Sequence, residues 1–352
     1  MIKGENEMNI LLDILILAAG FLLLIKGADI FVDGSAGIAK NYKVPGGIIG
    51  LTIVALGTSA PELAVSTVAA IKGSNEIALS NVVGSNIFNL LMVLGVCAVI
   101  HNVPVEKSIL KRDFPVSIVT TVFVLVASGF KTLTSGKILR PYEKKASGTA
   151  GAENVKKNVS PMLDDAGTVT RLIGAVLIIA FIIYIIVLIK DAKKNPDSGD
   201  ESKPMSTGKC VIFMIIGIAM IIGGGECVVG GAKAIAKAAG MSETLIGLTI
   251  VAVGTSLPEL VTSIVAAGKG ETAMAVGNVI GSNIFNLLFI LGISSAISPV
   301  TVNLASVYDM IILILLSVFV YLIVIKRKMI GRVSGIIMII LYVADVVFAA
   351  VR

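Results

Sequence analysis

The chain has 352 residues, is 56% hydrophobic and 15% charged, and carries a formal net charge of +6; its mean hydropathy is +0.97. Soluble domains run at about 45–50% apolar and about 25% charged, so a water-soluble globule, a disordered chain, a collagen and a coiled coil are all excluded. An all-α polytopic membrane protein remains, and the basic excess belongs to loops facing anionic lipid rather than to nucleic acid.

A bilayer core takes about 20 apolar residues per helix. The chain opens on the polar MIKGENEMN, without the pattern of a cleaved leader. Ten apolar runs follow, at 9–38, 46–71, 76–100, 113–130, 170–190, 209–237, 244–268, 272–298, 304–325 and 331–350. The first and sixth exceed what a bilayer needs and should tilt or project from it. On the first, Lys26, Asp29 and Asp33 read as locally paired or snorkelling, as do Glu226 and Lys233 on the sixth. Residues 131–169 form a polar loop rich in Lys, Gly, Ser and Asn, and 191–208 a charged linker. Neither has the apolar face of a folded domain. The chain therefore divides into halves at 9–190 and 209–351.

Cys97, Cys210, Cys227 and the single His101 are too few and too scattered for a zinc, haem or iron–sulfur site. No resident cofactor and no obligate protein partner are expected. Cys97 and Cys227 read as packing residues, and Lys326-Arg327-Lys328 as a topology anchor. With the amino terminus outside, inner segments hold 15 Lys/Arg against 13 outside, or 15 against 5 without the basic 131–169 loop. The positive-inside rule favours that orientation.

The chain contains itself twice. Residues 50–91 align on 247–288 without a gap, at an offset of 197, with 29 identities in 42 positions. The shared residues include Thr, Ser, Pro, Glu and Asn, which common apolar composition does not explain. Each half carries five spans. Five is odd, so the second half enters the membrane upside down: the inverted repeat of secondary transporters, with the binding site at the midplane.

The repeats hold oxygen ligands. Glu62 and Glu259 fall at equivalent points of apolar runs, where a carboxylate costs about 2.5–3.5 kcal/mol on insertion scales. A structural salt bridge is the plain alternative, but no Lys or Arg lies within 50–70 or 247–267. Pro61 and Pro258 precede the glutamates and deprive carbonyls one turn back of their donors. Thr58 and Ser59, and likewise Thr255 and Ser256, share a helical face with the adjacent glutamate. On the next helix Ser85 and Asn89 are four apart, as are Ser282 and Asn286. Such oxygens suit hard cations such as Ca²⁺ and Na⁺. Two carboxylates are neutralised by one Ca²⁺ or by two Na⁺, and protons should compete for an empty pair. Gly46, Gly50, Gly57, Gly84, Gly247, Gly254 and Gly281, with Phe88 and Phe285, read as packing residues.

Gly57-Thr-Ser-Ala-Pro-Glu62 with Gly84-Ser-Asn-Ile-Phe-Asn89, and their second copies ending at Glu259 and Asn286, resemble the α-repeats of the sodium/calcium exchanger family, within the cation/calcium antiporters. The resemblance covers most of the membrane part. It implies ten transmembrane helices in two inverted five-helix halves and exchange of Na⁺ for Ca²⁺ across the plasma membrane. It further implies Glu62 and Glu259 as central ligands, with oxygens from Thr58 and Thr255. Ser59, Ser256, Ser85 and Ser282 would serve flanking Na⁺ sites, with the carbonyls of Ala55 and Ala252 at their ends, and Asn89 and Asn286 would complete the middle. The first and sixth helices would slide against the other eight. Many relatives carry Asp where this chain has Asn286, and potassium coupling is accordingly disfavoured. The linker 191–208 leaves no room for a large Ca²⁺-sensing domain. The expected function is Na⁺/Ca²⁺ antiport; the alternatives are a proton-coupled Ca²⁺ antiporter, then a cation channel. An enzyme lacks any nucleophile–base set here.

Overall fold

A computed structural model describes residues 2–73, 75–134, 165–196, 205–238 and 252–351. The helices are α1 (Ile2–Tyr42), α2 (Gly46–Thr58), α3 (Ala60–Ile71), α4 (Glu76–Ile100), α5 (Ile109–Phe130), α6 (Arg171–Lys194), α7 (Thr207–Ala238), α8 (Leu257–Gly268), α9 (Thr272–Ile297), α10 (Leu304–Arg327) and α11 (Arg332–Val351). Eight are long and apolar enough to cross a bilayer, and α2 with α3 make a ninth span bent by 50°. The first turns of the 244–268 run and most of the 131–169 loop lie outside the described residues.

The 46–71 run is thus two helices rather than one. Pro61 stands in the first turn of α3, and Ser59 turns out of the helical basin at φ −84°, ψ 11°. Before α8, with Pro258 in its first turn, Ser256 does the same at φ −93°, ψ 5°. A missing N–H and a ring clash at the proline account for both breaks.

Four short strands occupy the polar connections: β1 (Val103–Pro104), β2 (Asp165–Val169), β3 (Val300–Asn303) and β4 (Met329–Ile330). β1 pairs with β4 and β2 with β3, both antiparallel and both between halves. The helices exchange partners in the same way. Gly95 of α4 lets α11 approach at Gly335, and Gly292 of α9 lets α6 approach at Gly174. Each half therefore completes the other. α4 and α9 are mostly buried at the centre, while α6 and α11 expose faces rich in isoleucine and valine.

The two long helices α1 and α7 run antiparallel along a ladder of glycines. A Cβ on Gly20 would lie 2.9 Å from the Gly224 carbonyl, and one on Gly27 2.9 Å from that of Gly217. Gly231 meets the Asp13 carbonyl, and Gly34 that of Cys210. Small residues allow such close backbone approach in a membrane. Gly20, Gly27 and Gly34 are related to Gly217, Gly224 and Gly231 by the same offset of 197, so these helices match better between halves than their charges suggest. Of the repeat glycines, Gly50 and Gly281 bring α2 onto α9; among the described residues Gly84 meets nothing.

A buried ion network joins α5 to α6. Asp113, 0% exposed, accepts from Arg112 at 2.7 Å and from the Tyr184 hydroxyl at 3.0 Å. Arg112 also reaches Asp191 at 2.5 Å.

Candidate cation site

α3 and α8 begin at the breaks, and their first turns carry Glu62 and Glu259. A helix N-terminus favours negative charge. Both glutamates are 0% exposed. Their hydrogen bonds cross between repeats. Ser59 Oγ donates to Glu259 Oε1 at 2.7 Å, and Ser256 Oγ donates to Glu62 Oε1 at 2.9 Å. Ser282 Oγ lies 3.5 Å from Glu259 Oε1, and the Ser256 and Ser85 hydroxyls are 3.2 Å apart. The two carboxylates lie within electrostatic reach of each other. Neither has an ion-pair partner among the described residues.

α4 and α9 supply the other walls. A wide π-turn begins at Asn89 and another at Asn286, equivalent positions in the two repeats. Such turns insert into α-helices frequently at functional sites. Asn286 Nδ2 donates to Asn86 Oδ1 at 3.0 Å. Asn86 and Asn283 donate to each other's backbone carbonyls at 3.1 and 3.2 Å. Left without partners are Glu62 Oε2, Glu259 Oε2, both amide atoms of Asn89, Asn286 Oδ1 and the Thr255 hydroxyl. An unsatisfied buried polar group costs about 1–3 kcal/mol, more when charged. Apart from the Asn89 amide nitrogen, every such atom here is an oxygen, which is the chemistry a hard cation needs.

Hydrogen bonds and the carboxylate pair join Glu62, Glu259, Ser59, Ser256, Ser85 and Ser282 in one buried cluster, and the turns that begin at the buried Asn89 and Asn286 pack against the glutamate-bearing helices α8 and α3. Two positions are more engaged than expected. Thr58 Oγ1 donates to Asn278 Oδ1 at 3.0 Å, and the Ala55 carbonyl accepts the Ser59 N–H at 3.0 Å. Ala252 starts the short turn Ala252–Gly254, with its side chain outside the described residues. Four residues escaped the sequence reading. Asn81 donates to Ser66 at 3.0 Å and Asn278 to Ser263 at 2.9 Å, a reciprocal pair bracing each glutamate-bearing helix. Their signal was present: Asn81 and Asn278 stand four residues before Ser85 and Ser282, identical in both repeats.

The two faces of this centre differ. Between α7 and α3 a cavity of about 510 Å³ reaches Thr255, Pro258 and Pro61, with Glu226, Gly230 and Lys233 on its wall. On the related face α1 packs along α8; as Val229 meets Gly254 on the cavity side, so Phe31 and Ile218 meet Gly57 on this one. There Lys269, in the α8–α9 turn, binds Asp29 Oδ1 at 2.7 Å, Asp33 Oδ1 at 2.6 Å and the Asp29 carbonyl at 2.8 Å. Asp29 and Asp33 are therefore paired across helices, not locally. Burial works against the Lys269 charge, but the hydrogen bonds to Asp29 and Asp33 outweigh it and raise the lysine above its ordinary pKa.

A family model described as "Sodium/calcium exchanger protein" matches residues 12–190 and 209–351. The sodium/calcium exchanger MaX1 of Methanosarcina acetivorans is 31% identical over 96% of this chain and 98% of its own length. The putative antiporter CaxA of Alkalimonas amylolytica is 33% identical over 92% of this chain and 94% of its own. Among solved structures, the sodium-calcium exchanger NCX_Mj superposes with a TM-score of 0.76 at 32% identity, covering 97% of this chain and 99% of that one.

Proposed function

The chain belongs to the sodium/calcium exchanger family of cation/calcium antiporters, secondary transporters rather than enzymes, and on that premise we propose that it exchanges Na⁺ for Ca²⁺ at the centre formed by Glu62 and Glu259. One observation carries the proposal: two fully buried carboxylates, each with an unpartnered oxygen, meet among further unpartnered oxygens, with no ion-pair partner among the described residues. An isolated buried charge is costly. One Ca²⁺ cancels both charges, and so do two Na⁺. A centre costly when empty, yet neutral with either cargo, exchanges one for the other.

The hydroxyls of Ser59, Ser256, Ser85 and Ser282 and the Thr58 and Thr255 oxygens extend the coordination on either side. The Ala55 and Ala252 carbonyls lie at the two ends, and Asn89 and Asn286 close the middle. Two inverted five-helix halves let the centre face each side in turn. With the amino terminus outside, as the Lys/Arg count favours, the cavity beside Glu226 opens to the exterior of the plasma membrane and Lys269 closes the inner face. If a third Na⁺ enters beside the two that cancel the carboxylates, each cycle moves one charge, worth about 2.3 kcal/mol per 100 mV.

Purified protein in Na⁺-loaded vesicles tests the proposal. External Ca²⁺ should accumulate only while the outward Na⁺ gradient lasts. Uptake driven by a pH jump without Na⁺ would instead make the proton the coupling ion on the same two carboxylates. Single-channel currents would replace exchange by conduction.

A further inference from the structure

The residues that close one face of the centre have copies on the other, and only one set is engaged. At an offset of 197, Asp29 corresponds to Glu226, Lys269 to Lys72, Thr58 to Thr255 and Asn278 to Asn81. Lys269 binds Asp29 and Asp33, and Thr58 binds Asn278. Of the copies, Lys72 and Glu226 make no ion pair among the described residues, and the Thr255 hydroxyl has no partner. The 510 Å³ cavity lies where the second set would meet. Glu226 stands on its α7 wall, and Pro61 and Val65 of α3 on the opposite one. Lys72 follows Pro61 and Val65 along the same face of α3, eleven and seven residues on.

We infer that Lys269 with Asp29 and Asp33, and Lys72 with Glu226, are two alternative latches that position the long helices α1 and α7 during exchange. The inference rests on the alternating access proposed above. α1 and α7 are bound to each other along their glycine ladder and move as a unit. When α1 docks on α8, its latch forms and α7 stands off from α3. When α7 docks on α3, Lys72 meets Glu226, Thr255 meets Asn81, the cavity closes, and Lys269 loses its partners. Both latches cannot hold at once, because one rigid pair cannot lie against both faces. Docking on one face withdraws the pair from the other, so one face closes as the other opens, which exchange requires. Lys269, Asp29, Asp33, Lys72 and Glu226 are positioning residues; none of these five touches the cargo.

The test uses an accessibility readout that needs no ion gradient, so it stands apart from the identity of the coupling ion. Ala64 lines the cavity. In protein with Cys97, Cys210 and Cys227 replaced by alanine, an Ala64→Cys reporter in nanodiscs is titrated with a charged maleimide. Lys269→Glu, which sets like charges against Asp29 and Asp33, should slow labelling at least three-fold. Lys72→Glu should not slow labelling but should impair exchange, and adding Glu226→Lys should restore exchange. Labelling unchanged in folded Lys269→Glu protein, or a swapped Lys72→Glu/Glu226→Lys pair that fails to recover flux, would overturn the inference. An unfolded Lys269→Glu variant is replaced by Lys269→Gln, for which the same slowing is required.

Discussion

Replacing one central carboxylate by its amide tests the site at its most exposed point of logic. In Glu62→Gln the side chain keeps its shape and its Oε1 still accepts from Ser256, 2.9 Å away. What is lost is one of two formal charges and the unpartnered Oε2 oxygen, replaced by an N–H₂ group aimed at the cargo. Removing one partner of a fully buried charge pair costs about 2–5 kcal/mol, hence a fall of about 30- to 4,000-fold in Ca²⁺ affinity. The folded protein itself should not suffer, since the change deletes a buried unpaired charge. At a Ca²⁺ concentration of 100 Kd, wild-type protein gains about 2.7 kcal/mol from the bound ion; after a 100-fold loss of affinity the gain is about 0.4 kcal/mol. Thermal unfolding with and without Ca²⁺ should therefore show a large shift for wild type and almost none for Glu62→Gln, and Na⁺-driven uptake should vanish. Because the Ser59 and Ser256 bonds are reciprocal, Glu259→Gln should behave alike within a few-fold. Ca²⁺-dependent stabilisation and uptake surviving in either variant would refute the site.

Other expectations concern the scaffold. Arg112→Ala leaves Asp113, 0% exposed, with only the Tyr184 hydroxyl, which should cost about 3–5 kcal/mol; adding Asp113→Asn should recover most of it, as read by thermal unfolding. A Cβ on Gly27 would lie 2.8 Å from Met220 Cβ and 2.9 Å from the Gly217 carbonyl, so Gly27→Ala should cost about 1–3 kcal/mol by overpacking and slow exchange. Gly223, on the partner helix, has nothing within 4 Å, and Gly223→Ala should leave both stability and exchange intact.

The helical class and the composition of the centre were legible because they rest on local pattern. Apolar run length betrays a span wherever water is absent, and a duplicated Glu among duplicated Ser, Thr and Asn announces itself through the offset of 197. What stayed hidden depends on three-dimensional meeting. The proline at 61 promised distorted carbonyls or a simple kink, but not a 50° break at which one helix ends and another starts. The π-turns at Asn89 and Asn286 leave no mark in composition, since one extra residue per turn is set by packing. Nor could spacing show that Ser59 serves the distant glutamate rather than its neighbour Glu62. The charges of α1 were misread for the same reason: Lys26 is near Asp29 in sequence, whereas Lys269, 240 residues away, is the partner in space. The glycine ladder could have been read, because its seven-residue spacing recurs at the repeat offset.

Two perfectly equal halves would leave the open face undecided; the differences between them bias it. Asp33 is one such difference, because its counterpart is Gly230. The Lys269 latch therefore has two carboxylates where the Lys72 latch has one. Asp33 is 51% exposed on its side chain and Lys269 27%, so the extra pair is an exposed one, worth about 0.2–1 kcal/mol. That is a factor of about 1.4 to 5 in the balance between the two faces. Supplying the missing carboxylate should remove the bias. Gly230 has open space around it and no left-handed φ, so Gly230→Asp fits without strain and sets a second carboxylate one turn from Glu226. Labelling of the Ala64→Cys reporter should slow by up to about five-fold, with unfolding temperature unchanged, and high salt should restore part of it by screening. Faster labelling in Gly230→Asp would mean that charge at this rim does not draw α7 onto α3, and the asymmetry between the faces would then need a cause within the buried packing of α1 on α8.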